Sequence, residues 1–243
     1  MLKFFRRIRQ QLLTQNKLSK YLLYAIGEII LVVIGILIAL KINNSNEAFH
    51  LKEKELILLS EIQRNLKQDL DVLNGCIVGN KEITSSNEIV KLALETKLPF
   101  NDSLKYHFGN TFGNFEFTEN TGAWENLKSI GLDLISNDSL RNSLAQLYSS
   151  KYVYLESIEK NTDDVYQWEQ LYPQILKHID IDTLWVSGTP KNYEDLSYDR
   201  EFLEVVKMNI FLRNFTQDLY NDVKKNVTFV LKQVDNHAQY LKK

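Results

Sequence analysis

Few residues in this sequence have the types and the spacing of a metal-binding site. Zinc sites commonly use histidine or cysteine pairs a few residues apart. The four histidines are instead spread over the chain, at His50, His107, His178 and His237. Asp180 and Asp182 form an Asp-x-Asp pair with oxygen ligands suited to Ca²⁺, but no third carboxylate, histidine or Gly-rich turn lies nearby. The sequence therefore predicts no metal site, and the pair is better interpreted as solvated loop acids.

The motifs of the common enzyme classes are also missing from the sequence. It contains no Gly-x-Ser-x-Gly, His-Glu-x-x-His, P-loop, Gly-x-Gly-x-x-Gly or Cys-x-x-Cys pattern. Adjacent acids such as Asp163 and Asp164 lie in a predicted helix and point to different faces, which indicates solvent charges rather than a catalytic pair. We therefore expect no catalytic residue, no cofactor and no enzymatic activity.

The element that determines where the protein works is an apolar stretch over residues 21–42, YLLYAIGEIILVVIGILIALKI. Between residues 22 and 40 its only charged residue is Glu28, and it contains no proline. A helix rises about 1.5 Å per residue, so this stretch is long enough to cross the roughly 30 Å hydrocarbon core of a bilayer. The sequence predicts a transmembrane helix over residues 21–42.

The charges before the span predict its orientation. Residues 1–20 contain six Lys and Arg and no Asp or Glu, so the positive-inside rule places this end in the cytoplasm and residues 43–243 outside the inner membrane. A cleaved signal peptide is the alternative, since it also combines a basic start with an apolar run. The apolar run is longer than is usual for a signal peptide, and no small-x-small cleavage site follows it. An uncleaved anchor is the preferred interpretation.

The first 20 residues also form a basic amphipathic segment. Residues 2–13, LKFFRRIRQQLL, place apolar side chains near one helical face and Arg6, Arg7 and Arg9 mostly off it. Such a segment can lie in the headgroup layer with its arginines against anionic lipids. Membrane lipids are therefore expected partners. Nucleic acid is not, because topology already explains these positive charges.

Within the span, three residues indicate a face that packs against another helix. Gly35 and Ala39 lie seven and eleven positions after Glu28, so all three residues fall on nearly the same helical face. Gly35 and Ala39 form a small-xxx-small pair, which allows close approach of a second helix. This face predicts a homo-oligomer or a partner membrane protein, with Glu28 as a buried polar contact. The alternative is that Glu28 reaches the cytoplasmic interface and Gly35 is incidental.

The composition after the span predicts an all-α domain. Only 9 Gly and 3 Pro occur in 243 residues, and the one cysteine, Cys76, cannot form an internal disulfide. Apolar residues recur at spacings of three, four and seven in a stalk that Gly75 and Gly79 are expected to bend or end. Residues 178–196 are expected to be an irregular excursion between helices.

The last helix is predicted to run from about Ser197 almost to Lys243. Its predicted buried stripe consists of Phe202, Val205, Leu212, Phe215, Leu219, Val223, Val227, Val230 and Val234. A helix of this length needs an equally long partner, and the stalk is the obvious one. The predicted architecture is an N-terminal transmembrane helix that continues into an antiparallel helical bundle, with coiled-coil-like packing between the long stalk and C-terminal helices.

Aromatic residues are densest in the middle of the chain. The candidates for a ligand pocket are Tyr106, Phe108, Phe112, Phe115 and Trp124. Aromatic side chains can line a pocket. They more often fill the core between helices, and we prefer that interpretation.

Three segments resemble an uncharacterised family of single-pass membrane proteins of Bacteroidetes, a domain of unknown function. They are FFRRIRQQLL, KYLLYAIGEIILVVIGILIALKINNSNE and ENTGAWENLKSIGLDLISNDSLRNSLAQLY. The chain departs from the family pattern at Ser45, where the family usually has Trp. The resemblance implies a Gram-negative inner membrane and a periplasmic domain over residues 43–243. It implies no activity.

Two noncatalytic functions are consistent with this sequence. The first is a membrane-anchored interaction or scaffolding protein, which depends on the face in the span and on the stalk. The second is a periplasmic sensory or small-ligand-binding module, which depends on the aromatic residues. The predicted cytoplasmic part, about 20 residues, is too short for a signalling domain, so a sensor would need a separate partner. We therefore favour the first function.

Overall fold

The structure is a computed structural model that describes residues 18–243, without the side chains of residues 18–21 and Tyr24. It is mostly helical, as the composition predicts. The chain divides into two compact units, Met1–Lys54 and Glu55–Lys243. The first helix, α1 (Leu18–Glu95), begins in the first unit and ends in the second.

In the first unit, α1 carries the apolar stretch. Its large side chains are exposed, including Leu23 at 78%, Leu31 at 69% and Ile42 at 65%. The described residues contain one helix that is long and apolar enough to cross a membrane, and no residue of its most apolar stretch is buried. A transmembrane span and a signal sequence are both consistent with such a helix near the N-terminus.

The second unit begins with the rest of α1, and here one expectation is wrong. Gly75 and Gly79 do not end the helix, which continues to Glu95. A Cβ at Gly75 would meet nothing, whereas a Cβ at Gly79 would overlap the ring of Phe115. Gly79 therefore permits the close approach of an aromatic side chain, and an intrinsic helix cost of roughly 1 kcal/mol per glycine does not interrupt a helix of this length.

The remaining elements follow α1 along the chain. They are α2 (Ser103–Gly109), α3 (Gly122–Ile130), a 3₁₀ turn (Leu132–Leu134), α4 (Asp138–Gln146), α5 (Tyr152–Ile158), α6 (Asp164–Tyr166), α7 (Tyr172–His178), β1 (Ile179–Thr183), β2 (Ser187–Pro190), α8 (Tyr193–Leu196) and α9 (Arg200–Lys242). Asn137 caps α4 by accepting a hydrogen bond from Leu140 N at 3.0 Å. Asp199 caps α9 in the same way through Phe202 N.

Helices α4 to α7 are joined end to end by three π-turns, and we call residues 138–178 the segmented helix. The π-turns are Leu147–Lys151, Glu159–Asp163 and Gln167–Leu171. Each contains buried residues, including the polar side chains of Glu159, Asp163 and Gln167. Because π-turns often occur at functional positions, this helix is a natural place to look for a site.

A two-stranded antiparallel hairpin occupies part of the region expected to be irregular. β1 pairs with β2, with Asp180 opposite Thr189 and Ile181 opposite Gly188. The hairpin packs on α2, where a Cβ at Gly109 would lie 2.5 Å from the backbone of Ser187. The fold is thus not purely helical. The β-branched residues of β1 favour a strand, and Gly109 of α2 and Gly188 of β2 allow the hairpin to approach the helix closely.

The apolar core of the second unit is divided in two. The first core contains Leu59, Leu66, Leu73, Ile77, Leu127, Leu144, Leu155, Val223, Val227 and Val234, among others. The second core contains Val90, Leu94, Phe108, Phe112, Leu171, Ile175, Phe202, Val206 and others. Along α1 and the segmented helix the first core precedes the second, whereas α9 reaches the second core first.

Candidate functional site

The predicted packing face lies on the exposed helix of the first unit. Glu28 is half-buried, whereas Gly35 and Ala39 are exposed. A Cβ at Gly35 would meet nothing within 4 Å in the described residues. Among the described residues, the small-residue face is therefore uncovered at Gly35 and exposed at Ala39. The arginines of the predicted lipid-binding arm, Arg6, Arg7 and Arg9, lie outside the described residues.

The structure does not bring the five candidate aromatic residues together. Phe108 and Phe112 are buried in the second core, whereas Trp124 is buried in the first and stacks on Tyr148. Tyr106 and Phe115 are 45% and 37% exposed. The three buried aromatic residues are therefore divided between two cores.

Buried polar residues separate the two cores along three helices, and we call this set the polar layer. It consists of Asn80, Ser86, Asn87, Glu159, Asp163, Gln167, Asn209, Arg213 and Thr216, all of which are at most 3% exposed. On α1 it lies between Ile77 of the first core and Val90 of the second. Such side chains are costly to bury unless each has a partner.

Glu159 is the carboxylate of the polar layer nearest the first core. Its Oε1 accepts hydrogen bonds from Phe117 N at 3.0 Å and from the Tyr220 hydroxyl at 2.8 Å. Burial raises the pKa of Glu159 to about 7, because the loss of water outweighs these two hydrogen bonds. The group can therefore change protonation state near neutral pH.

Arg213 and Asp163 form a buried ion pair in the middle of the polar layer. Arg213 Nη2 contacts Asp163 Oδ1, and both side chains are 0% exposed. Among the described residues, Arg213 Nε and Asp163 Oδ2 have no hydrogen-bond partner. Burial lowers the pKa of Arg213 to about 10, a value at which the guanidinium still carries its charge at neutral pH. The pair is neutral as a unit but incompletely hydrogen-bonded.

Amide side chains complete the polar layer next to the second core. Gln167 donates to Asn209 Oδ1 at 2.8 Å and accepts from Gly113 N at 3.1 Å. Asn209 donates to Asn87 Oδ1 at 3.2 Å and to Thr111 O at 2.9 Å. These bonds tie the segmented helix, α9 and α1 to the loop after α2, so the layer fixes the mutual register of the three long helices.

A further buried carboxylate lies inside the first core. Asp69, 0% exposed, accepts from Asn120 N at 2.8 Å, from Asn120 Nδ2 at 2.7 Å and from the Tyr152 hydroxyl at 2.8 Å. Burial raises the pKa of Asp69 despite these bonds. Its partners lie in the loop before α3 and in α5, so this carboxylate secures that loop to α1.

His237 forms a third polar contact with Glu55 and Ser136. His237 Nε2 lies 2.8 Å from Glu55 Oε1 and 3.3 Å from Ser136 Oγ, while Ser136 N and Oγ donate to the same Glu55 oxygen at 2.8 and 3.1 Å. A hydrolytic triad uses the two ring nitrogens for different tasks, one toward the acid and one toward the serine. Here a single nitrogen faces both groups, so the contact holds the segments together and does not activate Ser136.

Apart from His107, which contacts Ser86 of the polar layer, the other candidates from the sequence lie away from these contacts. Asp180 and Asp182 are exposed on β1. His107 Nδ1 lies 3.2 Å from Ser86 Oγ, and His178 Nε2 lies 3.2 Å from Asp199 Oδ2. Within residues 18–243 no group of three His, Cys, Asp or Glu side chains is arranged to hold a metal ion.

Sequence reasoning missed the polar layer almost entirely, and its interpretation of Asp163 as a solvent charge is wrong, because Asp163 is 0% exposed and paired with Arg213. Its members are single polar residues inside otherwise apolar periodic runs, a pattern that also fits solvent-facing positions. The available signal was the four-residue spacing of Glu159, Asp163 and Gln167, which repeats on one helical face.

Comparison with known proteins places the chain in a family. Residues 28–172, more than half of the chain, match the family of unknown function DUF6090. The chain belongs to this family. The match begins at Glu28 and ends at Tyr172, so it includes part of the apolar stretch and all three π-turns. Neither the comparison with curated proteins nor that with solved structures gives a match.

Proposed function

We propose that the protein is a membrane-anchored interaction or scaffolding protein of the bacterial inner membrane. In this proposal the N-terminus is cytoplasmic, residues 21–42 span the membrane, and the second unit is a periplasmic antiparallel helical bundle. The observation that carries the proposal is the exposure of the apolar part of α1, where Leu23 and Leu31 are 78% and 69% exposed. Apolar surface on this scale is stable in lipid or against another helix, and costly in water.

The bundle arrangement is supported by the order of the two cores. Along the chain, α1 and the segmented helix contribute to the first core before the second, whereas α9 contributes to the second core before the first. This order is expected if α9 runs antiparallel to the other two helices. A source in Bacteroidetes is supported only by the resemblance of the three sequence segments. The scaffolding role is supported by a second unit whose buried polar residues are mostly paired with one another, which favours a rigid body over one that opens for a reaction.

Self-association through the span is the specific mechanism we propose. Gly35 and Ala39 allow a second helix to approach, and Glu28 supplies a polar group on the same face. In lipid, where hydrophobic attraction between helices is absent, close backbone approach and interhelical polar contacts are the main sources of association free energy. The partner is therefore a second copy of this span or the span of another membrane protein.

The test is the mass of the full-length protein in mild detergent, compared with Glu28→Leu and Gly35→Leu. Gly27→Leu is the matched control, because it adds the same side chain roughly 80° or more away around the helix. We expect a dimer or larger species that both face variants reduce to monomer and that the control retains. A wild type that is monomeric and brings no partner, or a control variant that dissociates equally, would rule out this face.

Topology needs separate measurements. Protease added to spheroplasts should digest residues 43–243 while the protein in intact cells is protected. Mass spectrometry of the purified protein should show that residues 1–42 are retained. A mature chain that lacks them would establish the signal-peptide alternative.

A periplasmic sensor or ligand-binding module is the alternative function. As formulated from the sequence it depends on one aromatic pocket, and the division of Phe108, Phe112 and Trp124 between two cores gives it less support. We therefore place it second.

A further inference from the structure

A cleft of about 590 Å³ lies in the second unit, between the start of α4 and the last turns of α9. Its lining residues are Ser136, Asn137, Ser139, Leu140, Gln233, Asn236, His237 and Tyr240. The four from α9 follow one another at spacings of three, one and three, so they share one face of that helix. The cleft belongs neither to the proposed membrane face nor to the polar layer.

Two acceptor atoms of the cleft lining lack a protein donor. Gln233 Oε1 is out of contact with solvent and has no hydrogen-bond partner among the described residues. His237, 6% exposed, directs Nε2 to Glu55, and no described residue forms a hydrogen bond with its Nδ1. When the Nε2 proton is donated to Glu55, Nδ1 carries a free lone pair. A ligand that supplies hydroxyl donors would satisfy His237 Nδ1 directly, and Gln233 Oε1 once the half-buried Gln233 side chain turns toward the ligand.

The charges around the cleft favour a neutral ligand. The lining residues include no Lys, Arg, Asp or Glu. The Glu55 carboxylate, which contacts two of the lining residues, is 3% exposed and is occupied by Ser136 and His237. An ionic ligand would therefore lose its hydration without meeting an opposite free charge.

The remaining groups provide hydrogen bonds and a flat apolar surface. Asn236 and Ser139 are exposed and offer an amide and a hydroxyl. The ring of Tyr240 is 73% exposed and lies nearly parallel to that of His237, at 17° and 6.3 Å between centroids. The face of an aromatic ring attracts weakly positive C–H groups, such as those on one side of a pyranose.

We propose that this cleft binds a neutral, hydroxyl-rich ligand, namely one or two units of a saccharide. Amide and hydroxyl groups bind the sugar hydroxyls, Gln233 Oε1 and His237 Nδ1 accept from them, and the sugar ring packs on Tyr240. A small number of placed polar groups beside an apolar surface is the usual composition of a small-ligand site. The binding does not depend on self-association of the span.

Saturation-transfer NMR on the full-length protein in lipid nanodiscs tests this proposal, without any glycosidic detergent. The probes are maltose, cellobiose and N,N′-diacetylchitobiose, with the neutral peptide triglycine as comparison. We expect transfer to at least one disaccharide and none to triglycine. Transfer to no disaccharide, or to triglycine alone, overturns the proposal.

Two variants then locate the binding. Tyr240→Ala removes an exposed ring, and Gln233→Ala removes the unpartnered acceptor. Each is expected to raise the dissociation constant of the responding disaccharide by up to about tenfold. Tyr198→Ala is the matched control, since Tyr198 is 65% exposed and lies outside the cleft. Affinity that is unchanged in both cleft variants, or that falls equally in the control, places binding elsewhere and refutes the proposal.

Discussion

The outer edge of the Phe115 ring lies against Gly79 of α1, and a Cβ added at Gly79 would overlap Cζ, Cε1 and Cε2 of that ring. Four residues earlier on the same helix, Gly75 has nothing within 4 Å of the same added atom. Two glycines that look equivalent in the sequence therefore have different roles.

This contrast predicts opposite effects of the same substitution. Gly75→Ala should stabilise the protein by about 0.5–1 kcal/mol, because alanine is the better helix former and meets no neighbour. Gly79→Ala should destabilise it by about 1–3 kcal/mol, because the Phe115 ring must move. Urea unfolding followed by circular dichroism measures both. Equal effects at the two positions would contradict the placement of Phe115.

The buried ion pair gives a second prediction. Arg213→Met should cost about 3–5 kcal/mol of stability, because it leaves the Asp163 carboxylate buried without its cation. The double variant Arg213→Met, Asp163→Asn should recover much of that loss, because no unpaired charge remains. The double-mutant cycle is measured by urea unfolding. If the single variant loses less than about 1 kcal/mol, Asp163 is not an ionised partner of Arg213 in the folded protein.

The buried stripe of α9 shows how far the sequence determined the fold. Val223, Val227, Val230 and Val234 are predicted to be buried and are. Near the polar layer the prediction is wrong: Phe215 is 36% exposed, while Asn209, Arg213 and Thr216 are buried. The spacing of apolar residues along α9 cannot predict that Arg213 is buried. Arg213 is stable inside the protein only through its ion pair with Asp163, which is 50 positions away in the sequence.

The π-turns of the segmented helix were harder to predict for a geometric reason. In a regular α-helix, residues four apart drift by about 40° around the axis, so Glu159, Asp163 and Gln167 would spread over roughly 80° of one face. The wider π-turns that contain them reduce this drift and keep all three directed at α9. The turns depend on contacts with other helices, and no local residue pattern in the sequence indicates them.

The register of α9 can be tested with two substitutions of the same kind. Val227 is 0% exposed in the first core, whereas Phe229, two residues later, is 58% exposed. Val227→Asp should destabilise the protein by several kcal/mol because it buries an unpaired charge, whereas Phe229→Asp should change stability by less than about 0.5 kcal/mol. Thermal melts of the two variants make the comparison. Similar losses would show that α9 is rotated relative to this structure.

Glu159 makes stability depend on pH in a direction that the structure fixes. Its pKa rises from the usual 4.5 to about 7 on folding, so the folded protein binds an extra proton between these values. The stability linked to this proton is fully present below about pH 4.5 and is lost as pH rises through 7. The shift corresponds to about 3 kcal/mol between the two limits.

Glu159→Gln should remove this dependence, since the amide oxygen can still accept from Phe117 N and Tyr220 while carrying no charge. We expect wild type and variant to unfold at similar urea concentrations at pH 5, and the variant to be more stable by up to about 3 kcal/mol at pH 8. Glu156→Gln is the control, because Glu156 is half-buried three positions earlier and is paired with Lys160 rather than placed in the polar layer; it should show no comparable gain at pH 8. A difference between Glu159→Gln and wild type that is the same at both pH values would mean that Glu159 is ionised throughout. In that case its two hydrogen bonds would outweigh the loss of water, and the polar layer would carry an additional buried negative charge.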